Sequence, residues 1–385
     1  MSDEITDCPT TDDISWRVAP AEPERMTRGN VRRALALAVA MAVSSVAAAS
    51  ACRSEGAQPA SSPAGERASA SAPPTASEPV ATAAQTPAPV QLDPVPTRHR
   101  DAPRIVAIGD LHGDLDATRR VLRLARAIDD DDRWIGGSLV VVQTGDQLDR
   151  GDDERAILDL LKRLSEEARQ AGGAVHVLNG NHEIMNAAGD LRYVTPGGFS
   201  EFADVEGLDL SDPRLRQLPE MARPRAAAFT PGGPYAAILA ERNVVIVVGD
   251  TVFVHGGVLP EHVQWCGGRD VACLERTNQD VRQWLAGVHP DPQAVVARIM
   301  APDSLVWTRA YSDDPGPEDC RMLEQTLEAL SAKRMVVGHT VQRGGVTSAC
   351  DEKVWAVDVG LAKHYGGTIE ALEIANGRTR VLKPQ

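Results

Sequence analysis

The chain has 385 residues, 24% of them charged, and a formal net charge of −14 at neutral pH. That length exceeds what one compact domain usually needs, so surplus sequence is expected somewhere. The acidic balance argues against nucleic acid as a partner, because phosphate backbones select basic faces. The acidic run over residues 129–132 is read as a solvated loop and given no function.

The surplus lies at the front. Residues 1–25 are acidic, contain proline and lack apolar periodicity; they read as a disordered prefix or an over-called start. Met26 opens a basic lead ending in Arg32-Arg33, and an Ala-rich apolar run then covers residues 34–49. A basic lead, an apolar run too short for a comfortable span and small residues after it describe a signal peptide over residues 26–52. It ends Ala49-Ser50-Ala51-Cys52, which resembles a bacterial lipoprotein cleavage site with Cys52 as the lipidated residue. Ordinary signal-peptidase cleavage and an uncleaved anchor are the alternatives. Either way the folded part is expected to be exported: a membrane-anchored lipoprotein facing the periplasm or cell exterior, or secreted. Residues 53–100 hold nine of the chain's 26 prolines among Ala, Ser, Thr and Gln. They read as an extended, disordered tether, and residues 101–385 as one large domain.

Three apolar, β-branched runs then recur: Ile105-Val106-Ala107-Ile108, Leu139-Val140-Val141-Val142 and Val175-His176-Val177-Leu178. Each is followed by a polar cassette. These are Gly109-Asp110-Leu111-His112-Gly113-Asp114, Gly145-Asp146-Gln147-Leu148-Asp149-Arg150-Gly151 and Gly180-Asn181-His182-Glu183. Leu115, Leu122, Ala125 and Ile128 recur at helical spacing after the first cassette, as do Ile157, Leu160, Leu161, Leu164 and Ala168 after the second. A β-α-β-α-β order follows, with the apolar stripes as core. The cassettes then sit just past strand carboxyl ends, where open α/β sheets place ligands.

Residues 184–243 are looser, and are expected either to fold over the site as a cap or substrate wall or to serve as ordinary connection. Two more strand runs, residues 244–248 and 251–254, flank Gly249-Asp250, a pair that favours a hairpin. The second ends at His255-Gly256-Gly257. Residues 335–337 lead into Gly338-His339-Thr340, and residues 354–357 into Asp358-Val359-Gly360. A second sheet stacked on the first gives an α/β fold of the αββα type: a sandwich of two mixed β-sheets flanked by helices. Of the cysteines beyond Cys52, Cys266 and Cys273 flank a short turn and are the first disulfide choice, with Cys320–Cys350 second; free thiols are the alternative.

Asp and Asn supply hard oxygen ligands and His a borderline nitrogen, a mixture that suits Mn, Fe or Zn better than Ca or Mg. Asp146, on the middle cassette, is the natural bridge between two ions, and His255 and His339 fit the second ion's nitrogen ligands. Paired metals roughly 3.5–4 Å apart can activate a water and clamp the oxygens of a displacement at phosphorus. Arg150 adds a planar fork suited to phosphate. Arg309, two residues after Trp307, either forms a surface ion pair or completes a two-arginine clamp.

These cassettes resemble the calcineurin-like metallophosphoesterase superfamily. The segments GNHEIMNAAGDLRYV, FVHGGVLP, LVWTR, VVGHT and VDVG are together similar to its Shewanella-like protein phosphatases. Where eukaryotic-type enzymes carry Arg-Ala-His near the last ligand, this chain has Gly338-His339-Thr340, which supports the bacterial-type group. The resemblance implies that Asp110, His112 and Asp146 hold one metal, and Asp146, Asn181, His255 and His339 the other. It implies His182 as general acid oriented by Asp149, with Arg150 and Arg309 on the phosphoryl oxygens. The expected activity is hydrolysis of phosphomonoesters on phosphorylated protein or peptide, at tyrosine, serine or threonine. Alternatives are a dinucleoside tetraphosphate hydrolase, another metallophosphatase of small phosphorylated molecules, or a lipoprotein that binds a phosphorylated ligand without turnover.

Overall fold

The computed structural model describes residues 92–267 and 271–384; the expected prefix, the expected signal peptide with Cys52 and the expected tether up to residue 91 lie outside them. A short strand, β1 Arg98–His99, precedes three βα units: β2 Arg104–Ile108 with α1 Leu115–Leu124, β3 Val140–Gln143 with α2 Glu154–Gln170, and β4 Ala174–Val177 with α3 Asn181–Ala187. Short helices α4 Pro196–Ser200, α5 Arg223–Phe229 and α6 Pro234–Ala240 lead to the hairpin β5 Val245–Val248 and β6 Thr251–Val254. Then come α7 Ala272–Leu285, α8 Pro292–Ile299, α9 Pro317–Ala329, β7 Arg334–Val337, β8 Thr347–Ala349, β9 Val354–Ala356, β10 Ala371–Ala375 and β11 Arg378–Leu382.

The strands form two mixed sheets, ordered β11-β10-β2-β3-β4 and β1-β5-β6-β7-β9-β8. In the first, β2, β3 and β4 are parallel, β10 pairs antiparallel with β2, and β11 pairs antiparallel with β10. In the second, β6, β7 and β9 are parallel. Side-chain alternation shows how the layers stack. Ile105 and Ala107 of β2 pack in one buried cluster with Ile246, Phe253 and Val336 of the other sheet. Val106 and Ile108 point the opposite way, into a cluster with Val121, Leu122, Ile157 and Leu161 of α1 and α2. On the far side, Val252 and Val254 of β6 join Leu274, Val281, Trp284 and Leu323 of α7 and α9. Helix, sheet, sheet, helix is therefore the order of layers, the αββα sandwich expected from the sequence.

The expected hairpin at Gly249-Asp250 forms with Val248 opposite Thr251, and Gly249 supplies the positive φ its turn requires (58°). Both disulfides form: Cys266–Cys273 and Cys320–Cys350, with Cα atoms 5.5 and 5.3 Å apart.

One boundary needs correction. The tether expected through residue 100 gives way earlier, because Arg98 and His99 pair in parallel with Val247 and Val248. Pairing needs only backbone amides and an open sheet edge, so a Pro- and Thr-containing stretch supplies it without an apolar run. Asn278 Nδ2 donates to Thr97 Oγ1 at 2.8 Å, and Asn243 Nδ2 to the Pro96 carbonyl at 3.0 Å. A chain beginning at residue 101 loses these bonds. In urea it is expected to unfold with at least about 2 kcal/mol less stability than one beginning at residue 92, at about 1 kcal/mol per hydrogen bond for these two side-chain bonds alone; coincident midpoints would show that the segment contributes nothing.

Candidate active site

All three cassettes emerge at the carboxyl ends of β2, β3 and β4, and the loops after β6 and β7 bring His255 and His339 to the same rim. Several of these loops turn through strained backbone. His112, Asp146, Asp149, Arg150 and His339 have φ of 44°, 58°, 67°, 73° and 68°. Left-handed conformations cost a non-glycine residue about 1–3 kcal/mol and persist only where surrounding bonds enforce them.

The enforcing bonds are present. The Leu111 and His112 amides donate to the Asp146 carbonyl at 2.9 and 3.0 Å, tying the first cassette to the second. Gly113 and Gly151 touch backbone to backbone: a Cβ on Gly113 would lie 2.7 Å from the Gly151 carbonyl carbon, which only glycine accommodates. Glu183, wholly buried, joins the second cassette to the third. Its Oε2 accepts from the Asp146 and Gly180 amides at 2.8 and 2.7 Å, and its Oε1 from the Gln147 and Leu148 amides at 2.9 and 3.1 Å.

The ligand atoms converge on Asp146. Its Oδ2 lies 3.2 Å from His255 Nε2 and 3.8 Å from His112 Nε2. His112 Nε2 is 4.0 Å from Asp110 Oδ2. His255 Nε2 is 2.9 Å from Asn181 Oδ1 and 3.2 Å from His339 Nδ1. Each of these imidazoles has its other ring nitrogen on a backbone carbonyl: His112 Nδ1 on Leu148 (2.9 Å), His255 Nδ1 on Thr144 (3.0 Å) and His339 Nε2 on Trp307 (3.1 Å). An N–H donated outward fixes the tautomer and leaves a lone pair facing the centre, the usual arrangement around a metal-ligating histidine. Ligand atoms of Asp146, His255 and His339 fall within 4.8 Å of one another, as do those of His112, Asp146 and His182. Asp146 belongs to both groups, as a bridging carboxylate must.

Electrostatics point the same way. Burial pushes the Asp110 carboxyl well above its ordinary value, and Asp358 and Asp146 beside it push further. Burial, with His182 nearby, lowers His112 to about 4, while burial and His255 depress His339 well below its usual value. Neutral imidazoles facing crowded carboxylates are a donor set suited to cations. The residues present therefore fit two divalent metal ions.

His182 differs from the other histidines. Its Nδ1 meets Asp149 Oδ2 at 2.5 Å, a carboxylate rather than a carbonyl. Burial opposes its charged form, but Asp146 and Asp149 outweigh burial and raise it to about 9. An imidazole protonated at neutral pH can give up a proton. Arg150 and Arg309 line the same cleft as the ligands, together with Tyr193, Trp307 and Tyr365. Arg309 Nη1 donates to the His339 carbonyl at 2.7 Å, so this guanidinium is held at the cleft. Arg150 lies over the Tyr193 ring at 4.1 Å, with its buried Nε unpartnered.

Every residue expected at the site from sequence is thus brought to one rim. Sequence reasoning gave no role to Glu183, Asp358, Tyr193, Trp307 or Tyr365. Glu183 stood inside a quoted motif, and four buried amides converging on one carboxylate were beyond reach without the fold. Tyr193 confirms that part of the 184–243 segment forms a wall of the cleft. A larger cavity of about 460 Å³, lined among others by His99, His176 and Arg242, contains none of the cassette residues; convergence of ligands, not size, marks the site.

Residues 103–343 match the calcineurin-like phosphoesterase family. The chain is 42% identical over 307 residues to Shewanella-like protein phosphatase 2 of Arabidopsis thaliana, covering 72% of this chain and 76% of that one. The chain belongs to the Shewanella-like protein phosphatases. It is also 28% identical to Shewanella-like protein phosphatase 1 of Plasmodium berghei, over 68% of this chain and 69% of that one. Among solved structures it is similar to the cold-active protein-tyrosine phosphatase of a psychrophilic Shewanella species, at 26% identity and a TM-score of 0.59, covering 75% of this chain and 83% of that one. This phosphatase is a phosphoester hydrolase built for phosphorylated protein.

Close packing behind the ligands gives a test. A Cβ at Gly338 would stand 2.5 Å from Asp110 Oδ1 and 2.8 Å from Thr144 Oγ1. Gly338→Ala is expected to weaken metal binding about 10- to 100-fold by displacing that carboxylate. Titration of apo protein with Mn²⁺, followed by calorimetry, measures it; unchanged affinity would remove Asp110 from the ligand set.

Proposed function

We propose that this phosphatase cleaves phosphomonoesters on exported protein substrates, phosphotyrosine among them, with two Mn, Fe or Zn ions at the Asp146 centre. The observation that carries the reading is the convergence of three outward-tethered histidines, Asp110 and Asn181 on the shared Asp146. One ion would be held by Asp110, His112 and Asp146, and the other by Asp146, Asn181, His255 and His339. Such a pair supplies, when bound, Lewis-acid polarisation of the phosphoryl group and activation of a water.

The chain's own residues do the rest. Arg150 and Arg309 bind the phosphoryl oxygens from the cleft walls; fixed cations aimed where charge develops are the main catalytic need of phosphoryl transfer. His182, held through Nδ1 by Asp149, presents Nε2 to protonate the departing oxygen. Tyr193, Trp307 and Tyr365 give the cleft an aromatic rim, which suits an aryl leaving group. That rim, and the tyrosine phosphatase among the similar structures, support phosphotyrosine. The signal-like segment over residues 26–52, ending at Cys52, supports export and a lipid anchor.

The test is phosphate release by the purified chain from a phosphotyrosine peptide, a phosphoserine peptide and a dinucleoside tetraphosphate, each with Mn²⁺ and with chelator. Release from the phosphotyrosine peptide that chelator abolishes and Mn²⁺ restores is expected. Cleavage of the dinucleotide alone would replace the protein substrate with a nucleotide. His182→Ala is expected to lower kcat about 10²- to 10⁴-fold with metal content unchanged; unaltered turnover would remove His182 as the acid. Arg150→Lys keeps the charge and loses the fork, and should raise KM for every phosphomonoester more than it lowers kcat; an unchanged KM would place Arg150 outside the phosphate site.

A further inference from the structure

His182 aims its Nε2 only if Asp149 holds still. Asp149 Oδ2 is occupied by His182, which leaves Oδ1 as the atom that sets the carboxylate plane. Oδ1 accepts from Asn186 Nδ2 at 3.0 Å and from Arg225 Nη2 at 3.4 Å. Arg225 Nε donates in turn to Asn186 Oδ1 at 2.9 Å, so the amide cannot flip and the three side chains close a ring.

Beyond the ring, Arg225 Nη1 donates to the Gly198 carbonyl at 2.9 Å and to Glu154 Oε2, while Nη2 reaches Glu154 Oε1 at 3.0 Å. Glu154 Oε1 also accepts from the Asp149 backbone amide. The guanidinium lies near the Phe202 and Phe229 rings, 5.0 and 5.2 Å from their centroids. Arg225, Asp149 and Glu154 are each wholly removed from water.

A buried guanidinium between two carboxylates is a costly way to hold a helix. Apolar residues of similar volume often do so at equal or better stability. What an apolar residue cannot do is fix the plane of a carboxylate, and a rigid, planar fork of five donors does that well. We propose that Arg225 is a positioning residue for the general acid, acting through Asn186 and Asp149 to aim His182 at the leaving oxygen. Its place on α5, 76 residues from Asp149 in sequence, ties the segment that carries Tyr193 to the catalytic acid. This inference rests on the reading of His182 as the acid.

An acid matters in proportion to the basicity of the oxygen it protonates, so a misaimed acid shows itself by leaving group. The test compares phenyl phosphate, whose phenolate is a poor leaving group, with p-nitrophenyl phosphate, whose leaving group departs unaided. Holoenzyme and its Arg225→Lys variant are assayed on both, and metal content is measured. Arg225→Lys is expected to lose about 10²-fold in kcat on phenyl phosphate and less than about fivefold on p-nitrophenyl phosphate, with KM and metal content unchanged. Equal losses on the two esters, or a loss confined to KM, would overturn the positioning role. Asn186→Ser breaks the same ring without touching the ion pair. It is expected to show the same leaving-group dependence at smaller size, and decides the question if Arg225→Lys does not fold; no dependence there overturns the proposal. Wild-type protein inert toward both esters would instead overturn the hydrolase reading on which this rests.

Discussion

Much of the structure depends on one carboxylate. Glu183 is wholly buried and takes four backbone amides, from Asp146, Gln147, Leu148 and Gly180. A buried anion is tolerable when its lone pairs are filled, and four amides fill them. In return the loop after β3 and the start of α3 are held in one arrangement, with Asp146 Oδ1 receiving the His182 amide at 3.0 Å. The left-handed φ at Asp146, Asp149 and Arg150 survives because that loop has no alternative partner as good. Asp146, Asp149 and Arg150 thus share a loop whose geometry is set by a residue outside the cleft lining.

The sandwich supplies the second constraint. The candidate ligands come from five loops, on β2, β3, β4, β6 and β7, so both sheets must stack in register for one centre to form. The inter-sheet cluster that fixes this contains small and β-branched residues, such as Ala107, Val142, Val248 and Val336, which permit close approach. Parallel strands with all cassette loops at one end explain why Asp110 and His339, 229 positions apart, share a hydrogen bond.

The parts of this that were legible in sequence share a physical cause. Strand, turn and cassette were readable because β-branched runs, glycines and clustered polar residues are local signals. His255 and His339 were readable because each ends such a run. The strands β10 and β11 were not read: their polar positions, Glu373 and Arg380, pair with each other at 2.7 Å, and only the neighbouring strand reveals it. Glu154, Asn186 and Arg225 look in sequence like ordinary helix residues; what distinguishes them is total burial and each other. The Arg98–His99 strand escaped for the opposite reason, since it contributes backbone alone and no pattern of side chains announces it.

Local signals find what a metal needs, because ligands must sit at strand ends. They miss what the ligands need, because support comes from elements distant in sequence. Energetics sharpen the contrast. Asp110, Asp146, Glu183 and Asp358 crowd into one dry region, and burial with mutual repulsion pushes Asp110 and Glu183 upward and Asp358 to about 6. A protein selected for stability alone would dissolve such a cluster into apolar packing. The chain instead spends strain in its loops and repulsion among its acids to hold a site poised for cations. Anything that binds this arrangement and not the unfolded chain adds to stability by mass action. Metal loading and folding are therefore coupled through the carboxylates, while the aim of His182 is set separately, by neutral and ionic bonds on the other side of Asp149.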